Sequence, residues 1–279
     1  LLRNIKDLEG FAISATDGVL GHIHNFYFDD ETWVIRYFVI ATGTWHANRL
    51  TLISPMAMGV PDWSAKQIPA NLTQEQVRKG PDIDTDKPVS RQHEIGYSGY
   101  YGYPNYWGGG GLWGAGLYPD VLQGGLDRNV AGNGNQPARL LRAGSGVRSS
   151  DARRQNDLHL RSANDVMRYY VHATDGDIGH VEGMLVEEKT WAIRYVIVNT
   201  SNWWLGHSVL IAPEWIDDVF WAESKLMVDL TRQSVKDAPE YDPKVPITRE
   251  QEELLHAYYG HDGYWPIESE SQKTTAYVV

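Results

Sequence analysis

The sequence predicts a mainly β protein: two small antiparallel β-barrels with short appended helices, joined by a linker that contains Gly, Tyr and Arg. Three observations predict it. One block of sequence returns at a constant offset, Thr16 aligning with Thr174 and Trp107 with Trp265 without a gap, and close to a third of the aligned positions are identical. Within each copy, short runs rich in β-branched and aromatic residues alternate with turn residues, at the spacing of about 8–12 residues expected of small barrels and sandwiches. The composition, 42% hydrophobic and 22% charged, is that of an ordinary globular chain.

An internal duplication of this kind sets the architecture before any residue is read for chemistry. It divides the 279 residues into a first repeat with its helical extension (1–107), a glycine-rich linker (108–157), a second repeat with its extension (158–265) and a tail (266–279). Each repeat is long enough to bury its own core.

The elements follow in order. Phe11 to Ala15 forms a first strand, and Asp17-Gly18 turns it back, because the two central residues of a type I′ turn need positive φ. The next run, Val19 to Asp29, alternates so that Leu20, His22, His24, Phe26 and Phe28 are expected on one face. Asp29 to Thr32 turns the chain again, and Trp33 to Thr42 reads as a buried strand. A further strand ends at Pro55, and the second copy repeats the plan up to Pro213. Thr73 and Thr231 are placed to cap short helices, and Thr248-Arg249-Glu250-Gln251 reads as a capping box opening a helix to about Tyr259. The equivalent helix in the first copy opens near Ser90-Arg91, although Gly96 and Gly99 weaken it.

Charge is unevenly placed. The net charge of −11 divides into −3 for residues 1–107, +3 for 108–161 and −11 for 162–279. An acidic C-terminal half is a poor nucleic-acid surface, since phosphate binding rests on a basic face. The chain holds no cysteine, which excludes disulfides, thiol catalysis and Cys-based zinc sites. No apolar run reaches the roughly 18 residues of a membrane span, and the first residues lack a signal-peptide core. A cytoplasmic location is the expectation, with peripheral association at the inner membrane left open.

The motifs resemble the PRC-barrel family, named for the H subunit of the photosynthetic reaction centre. The resemblance rests on Thr16-Asp17-Gly18-Val19-Leu20-Gly21-His22-Ile23 followed by Trp33-Val34-Ile35-Arg36-Tyr37-Phe38-Val39. It returns as Thr174-Asp175-Gly176-Asp177-Ile178-Gly179-His180-Val181 with Trp191-Ala192-Ile193-Arg194-Tyr195-Val196-Ile197. Ile53-Ser54-Pro55 and Ile211-Ala212-Pro213 extend it, so that about half of the chain is covered. The resemblance implies a binding module. Members include the cytoplasmic cap of the reaction centre and the second domain of a ribosome-maturation factor that contacts a ribosomal protein. It implies no catalytic residue and no cofactor, and the membrane helix that anchors the reaction-centre subunit has no counterpart in this sequence.

Structural roles are expected for Gly18, Gly176, Gly21 and Gly179, which suit a turn and a tight bend, and for Trp33, Trp191, Tyr37 and Tyr195 as core anchors. Arg36 and Arg194, each set in an apolar strand, are expected to pair with a carboxylate, from Asp17 and Asp175 or from the Asp29-Asp30 and Glu187-Glu188 turns, the other reading being an arginine that contacts a binding partner. His22 and His24 have the spacing of metal ligands but no third ligand, and Asp82-x-Asp84-x-Asp86 lacks the glycine and glutamate of a calcium loop, so no metal is expected. Enzyme motifs are absent, and the histidines and carboxylates suggest no constellation duplicated beyond the turns. Tyr100, Tyr101, Tyr103, Tyr106, Trp107 and Trp113 form an aromatic tract expected to dock on a barrel or a partner. The expected function is a non-enzymatic protein that binds another macromolecule or itself. Two alternatives stay open: an accessory subunit on the cytoplasmic face of a membrane complex, photosynthetic by resemblance, and a stress-related protein binding a small ligand or metal between the barrels.

Overall fold

Strands dominate the chain, and they fall into two sheets. The computed structural model describes residues 1–42, 49–81, 89, 91–107, 110–114, 116–119, 159–200 and 207–265. Trp45, Trp203, the Asp82 to Asp86 run, most of the linker and the tail lie outside the described residues. The first repeat runs β1 (Leu2–Asn4), β2 (Ala12–Ala15), β3 (Gly18–Asp29), β4 (Val34–Thr42), β5 (Arg49–Ile53) and β6 (Gln67–Pro69), then α1 (Gln74–Lys79) and α2 (Arg91–Tyr101). The second runs β7 (Leu160–Ser162), α3 (Ala163–Val166), β8 (Tyr170–Ala173), β9 (Gly176–Glu187), β10 (Ile193–Asn199), β11 (Ser208–Ile211), β12 (Ile216–Phe220) and β13 (Lys225–Val228), then α4 (Arg232–Lys236) and α5 (Arg249–Tyr259).

One sheet has six strands, in the order β5-β4-β3-β2-β6 with β7 beside β3. The other has seven, in the order β11-β10-β9-β8-β13-β12 with β1 beside β9. Neither ladder returns to its first strand among the described residues, so the sequence-based picture of closed barrels is replaced by two open paths. The reason lies after β5 and β11. Pro55 and Pro213 each open a 3₁₀ turn there, and proline has no N–H to extend a ladder. The first repeat also lacks a counterpart of β12: Pro61 stands where Val219 pairs with Leu226, and only the isolated bridges Met58–Ala70 and Asp62–Gln67 remain.

The two repeats are interlocked. β1 pairs with β9 of the second repeat, Leu2 opposite Glu187, while β7 pairs with β3 of the first, Leu160 opposite Asp29. These pairings are reciprocal at the duplication offset. Strand pairing therefore crosses the boundary that the sequence draws between residues 1–107 and 158–265. At the centre Val34 bridges Ala192, its own counterpart, and the flanking bonds are mutual: Ile35 N–H to the Trp191 carbonyl (2.9 Å) and Ile193 N–H to the Trp33 carbonyl (2.7 Å). A residue that pairs with its own duplicate marks a pseudo-twofold axis, the arrangement of a homodimer kept within one chain. Ion pairs repeat the pattern, Arg3 to Glu188 at 2.8 Å and Arg161 to Asp30 at 2.6 Å. Arg3 lies over Trp63 and Arg161 over Trp221, which places both tryptophans beside the seam.

Three bulges recur in each repeat and re-aim side chains that strict alternation misplaces. Leu20 and Ile178 are the extra residues between β2 and β3 and between β8 and β9. His24 and Glu182 are extra residues on β3 and β9, and Arg36 and Arg194 on β4 and β10. The bulges break the single face expected for Leu20 to Phe28: His22 and His24 are exposed, whereas Leu20, Ile23, Phe26 and Phe28 are buried. The β2–β3 turn has Thr16 and Asp17 as its loop residues, since Ala15 pairs with Gly18, and Asp17 has no positive φ, so it is not the type I′ turn expected at Asp17-Gly18. At Gly21 and Gly179 the glycine expectation holds sterically. A Cβ on Gly21 would lie 2.1 Å from the Ala41 carbonyl oxygen, and one on Gly179 2.0 Å from that of Asn199. Trp33 and Trp191 adopt left-handed backbone, φ 52° and 59°, which a bulky residue adopts only at a cost of about 1–3 kcal/mol. Burial of both indoles offsets that cost, and Trp191 packs edge-on against Phe38 of the other repeat at 4.8 Å.

Capping boxes form at Thr73, Thr231 and Thr248 as the sequence implies. Asp17 and Asp175 do not pair with the strand arginines. Each carboxylate instead accepts the first helical N–H, from Gln74 at 2.8 Å and from Arg232 at 2.7 Å. An acidic group at a helix N-terminus is favoured there by the orphan amides and the dipole.

Candidate functional site: a duplicated clamp and an open cleft

Helices α2 and α5 pack over the faces of β4 and β10 and bring together six residue pairs that are identical in both repeats. Tyr37 donates to Glu94 (3.3 Å), Tyr106 makes a very short hydrogen bond to the same carboxylate, and Arg91 holds its other oxygen at 3.0 Å. In the second repeat Tyr195 (3.1 Å) and Tyr264 (2.8 Å) donate to Glu252, and Arg249 holds it at 3.1 Å. The guanidinium of Arg36 lies 3.9 Å from the Tyr106 ring and that of Arg194 3.9 Å from Tyr264. Arg91 stacks on Trp107 at 4.3 Å and Arg249 on Trp265 at 4.2 Å. This constellation corrects the expectation that nothing is duplicated beyond the turns. Its trace in the sequence is Arg91 and Glu94, three apart, returning as Arg249 and Glu252, each followed by a Tyr-Trp pair.

Each clamp fastens a helix to its own sheet. Glu94 is 0% exposed, so no substrate reaches it in this conformation. Burial pushes its carboxyl up to about 7, against the pull of Arg91 and the tyrosine hydroxyls. Burial likewise raises the phenols of Tyr37 and Tyr106 well above their ordinary range, aided by the neighbouring Glu94. A hydroxyl held protonated in this way is a dependable donor to the carboxylate.

The strand arginines meet the turn carboxylates, as one of the two expectations has it, but unequally. Arg194 donates from Nε (2.9 Å) and Nη2 (2.5 Å) to Glu187. Burial pushes Glu187 up, yet its hydrogen bond and charge contact with Arg194 outweigh this and hold it below the usual range. Arg36 lies 3.9 Å from Asp29, beyond hydrogen-bond range, and spends its donors on the Leu112 carbonyl (2.5 Å) and the Thr32 hydroxyl (3.0 Å).

The aromatic tract is turned mostly onto its own chain. Tyr106 and Trp113 are buried, Tyr101, Tyr103 and Trp107 are half-buried, and Tyr100 is exposed. Buried Tyr106 and Trp113 therefore form no partner surface here. Trp113 passes across the seam, donating its indole N–H to the Thr190 carbonyl at 2.8 Å and lying 4.8 Å from the Arg36 guanidinium.

The counterpart of that seat in the other half is open. A cavity of about 480 Å³ is lined by Thr32 and Trp33 from the first repeat and by Arg194, Tyr264 and Trp221 from the second. Thr32, Arg194 and Tyr264 are the duplicates of Thr190, Arg36 and Tyr106, the residues around Trp113. Thr190 is 4% exposed beneath Trp113, whereas Thr32 is exposed. Arg36 is 2% exposed and Arg194 17%. Among the described residues no group of three or more His, Cys, Asp or Glu is placed to hold a metal ion. No helix among them is long and apolar enough to cross a membrane. No protein-family model matches this chain, and no curated protein matches it.

Proposed function

We propose that the chain is a non-enzymatic binding and assembly protein, a tandem of PRC-type β-repeats fused through an ancestral dimer face, whose recognition site is the cleft between the repeats. One observation carries the reading: the same threonine stands at equivalent places beside the axis, covered by Trp113 at Thr190 and bare at Thr32 in a 480 Å³ cleft. Polar clusters elsewhere are taken up internally: each clamp holds a helix to its own sheet, and the Arg3–Glu188 and Arg161–Asp30 pairs hold the halves together. Clamping of the buried carboxylates by tyrosine and arginine suits a rigid scaffold that presents a preformed cleft. Exposed apolar side chains around a second groove of about 240 Å³, Leu254 at 68% and Val245 at 51%, also suit a protein that meets other macromolecules. The resemblance to the PRC-barrel family supplies the narrower version, an accessory subunit at the cytoplasmic face of a membrane complex.

Cross-linking with mass spectrometry tests the proposal. A photoreactive residue at position 219, on the rim of the cleft, is carried by the full chain and exposed to cytosolic and membrane fractions. The reading expects one dominant partner joined at the cleft. Cross-links absent from both fractions, or spread without preference over many proteins, contradict it.

A further inference from the structure

Resting on the binding role proposed above, we infer that the open seat beside Arg194 takes a tryptophan side chain flanked by basic residues, presented by a partner polypeptide. The filled seat is the template. There the peptide before the indole is gripped, Arg36 Nη1 donating to the Leu112 carbonyl at 2.5 Å, and the indole N–H reaches across to the Thr190 carbonyl at 2.8 Å. The open seat keeps the same fittings. Arg194 spends Nε and Nη2 on Glu187, and among the described residues its Nη1 makes no hydrogen bond. Tyr264 offers the same aromatic wall, stacked on that guanidinium, and Thr32 stands exposed where Thr190 is covered. A site that holds a backbone carbonyl and an indole together is built for a peptide rather than for a free ring.

Charge indicates what flanks the indole. Glu214, Asp217 and Asp218 line the open cleft, and their duplicates beside the filled seat are Met56, Gly59 and Val60. These three carboxylates, with Glu31, are exposed, and among the described residues none has an ion-pair partner. At these three positions acid stands only on the open side, and it suits lysine or arginine beside the docking tryptophan. The chain's own residues 266–279 are a poor occupant, since they include no tryptophan and carry two glutamates against one lysine.

The test is calorimetric titration of the full chain with an acetylated, amidated peptide of sequence Lys-Lys-Leu-Trp-Lys. Saturable binding at one site is expected. Replacing the tryptophan of the peptide by alanine, or its lysines by glutamates, is expected to weaken binding by about tenfold or more. The protein variant Asp217→Lys/Asp218→Lys, altered only at exposed positions, is expected to lose affinity by a similar factor. Absence of saturable binding overturns the inference, as does equal affinity for the alanine peptide or for the charge-reversed protein. Binding of tryptamine without binding of the peptide overturns it in favour of a small aromatic amine. The two proposals fail separately. If the charge-reversed variant captures the same cross-linked partner as the unaltered chain, the binding role stands and the indole seat does not. If the peptide binds as expected and no partner is captured, the seat stands and the role does not.

Discussion

The indole N–H of Trp113 donates to the backbone carbonyl of Thr190 at 2.8 Å, so the extension of the first repeat is fastened to the turn of the second. It is one of the points at which the molecule departs from its own symmetry. Removing the side chain by Trp113→Ala leaves a buried void next to Arg36 and Tyr106, with an expected loss of about 3–5 kcal/mol. Free indole is expected to restore part of that loss, since it matches the void in shape and its N–H regains the Thr190 carbonyl. Urea denaturation with and without indole checks this, and a variant as stable as the parent speaks against the fastening.

The two strand arginines are expected to differ in their contribution to stability. Arg36 is almost wholly buried and supports the Leu112 carbonyl and Thr32 beside Asp29, which is itself buried. Arg36→Met strands those groups and is expected to cost about 3–5 kcal/mol. Arg194 and Glu187 are partly solvated, so Arg194→Met is expected to cost on the order of 1 kcal/mol. Equal shifts of the denaturation midpoint contradict the assignment.

Glu94 gives stability a pH dependence of definite sign. Its carboxyl is raised from 4.5 to about 7 in the folded chain, so the folded state binds the proton more tightly than the unfolded one. The stability it contributes is present below pH 4.5 and is lost as pH rises to about 7, in all roughly 3 kcal/mol. His256 works in the opposite sense: burial lowers its pKa, and the stability it gives is lost as pH falls through that lowered value. The difference between the parent and Glu94→Gln isolates the carboxyl. The variant is expected to lose less stability than the parent between pH 5 and pH 8, measured by thermal unfolding, and parallel curves contradict it.

Gly21 and Gly179 are expected to tolerate no side chain. A methyl group at either lies near 2 Å from a carbonyl oxygen of the neighbouring strand, Ala41 or Asn199, and backbone on both sides leaves nowhere to move. Each alanine substitution is expected to cost more than about 1 kcal/mol, read from the midpoint in urea. Neutral substitutions show that the bulges beside them are loose.

Local chemistry made much of the fold legible. The place of the turn after β2, though not its type, the caps at Thr73, Thr231 and Thr248 and the strand identities follow from residues close in sequence, and the duplication states most of them twice. What escaped depends on partners far along the chain. A bulge at Leu20, His24 or Arg36 exists only relative to the strand opposite, so strict alternation misreads the face of His22 and His24. Exchange of β1 and β7 is invisible because either pairing presents the same apolar pattern. The Tyr37–Glu94–Tyr106 clamp joins a strand, a helix and the aromatic tract, whose composition signals docking but not the residue it docks on. The open cleft is legible only by comparing equivalent places in the folded repeats.

The central claim is that the repeats meet about an axis through Val34 and Ala192. Those residues form a non-hydrogen-bonded antiparallel pair, where Cα atoms lie about 4.5 Å apart, within the reach of a disulfide. The chain has no other cysteine to compete. In the double variant Val34→Cys/Ala192→Cys, mild oxidation is expected to consume both thiols within one chain, leaving the molecular mass in solution unchanged and the unfolding transition intact. Two free thiols after oxidation, or cross-linking only between chains, would contradict the account.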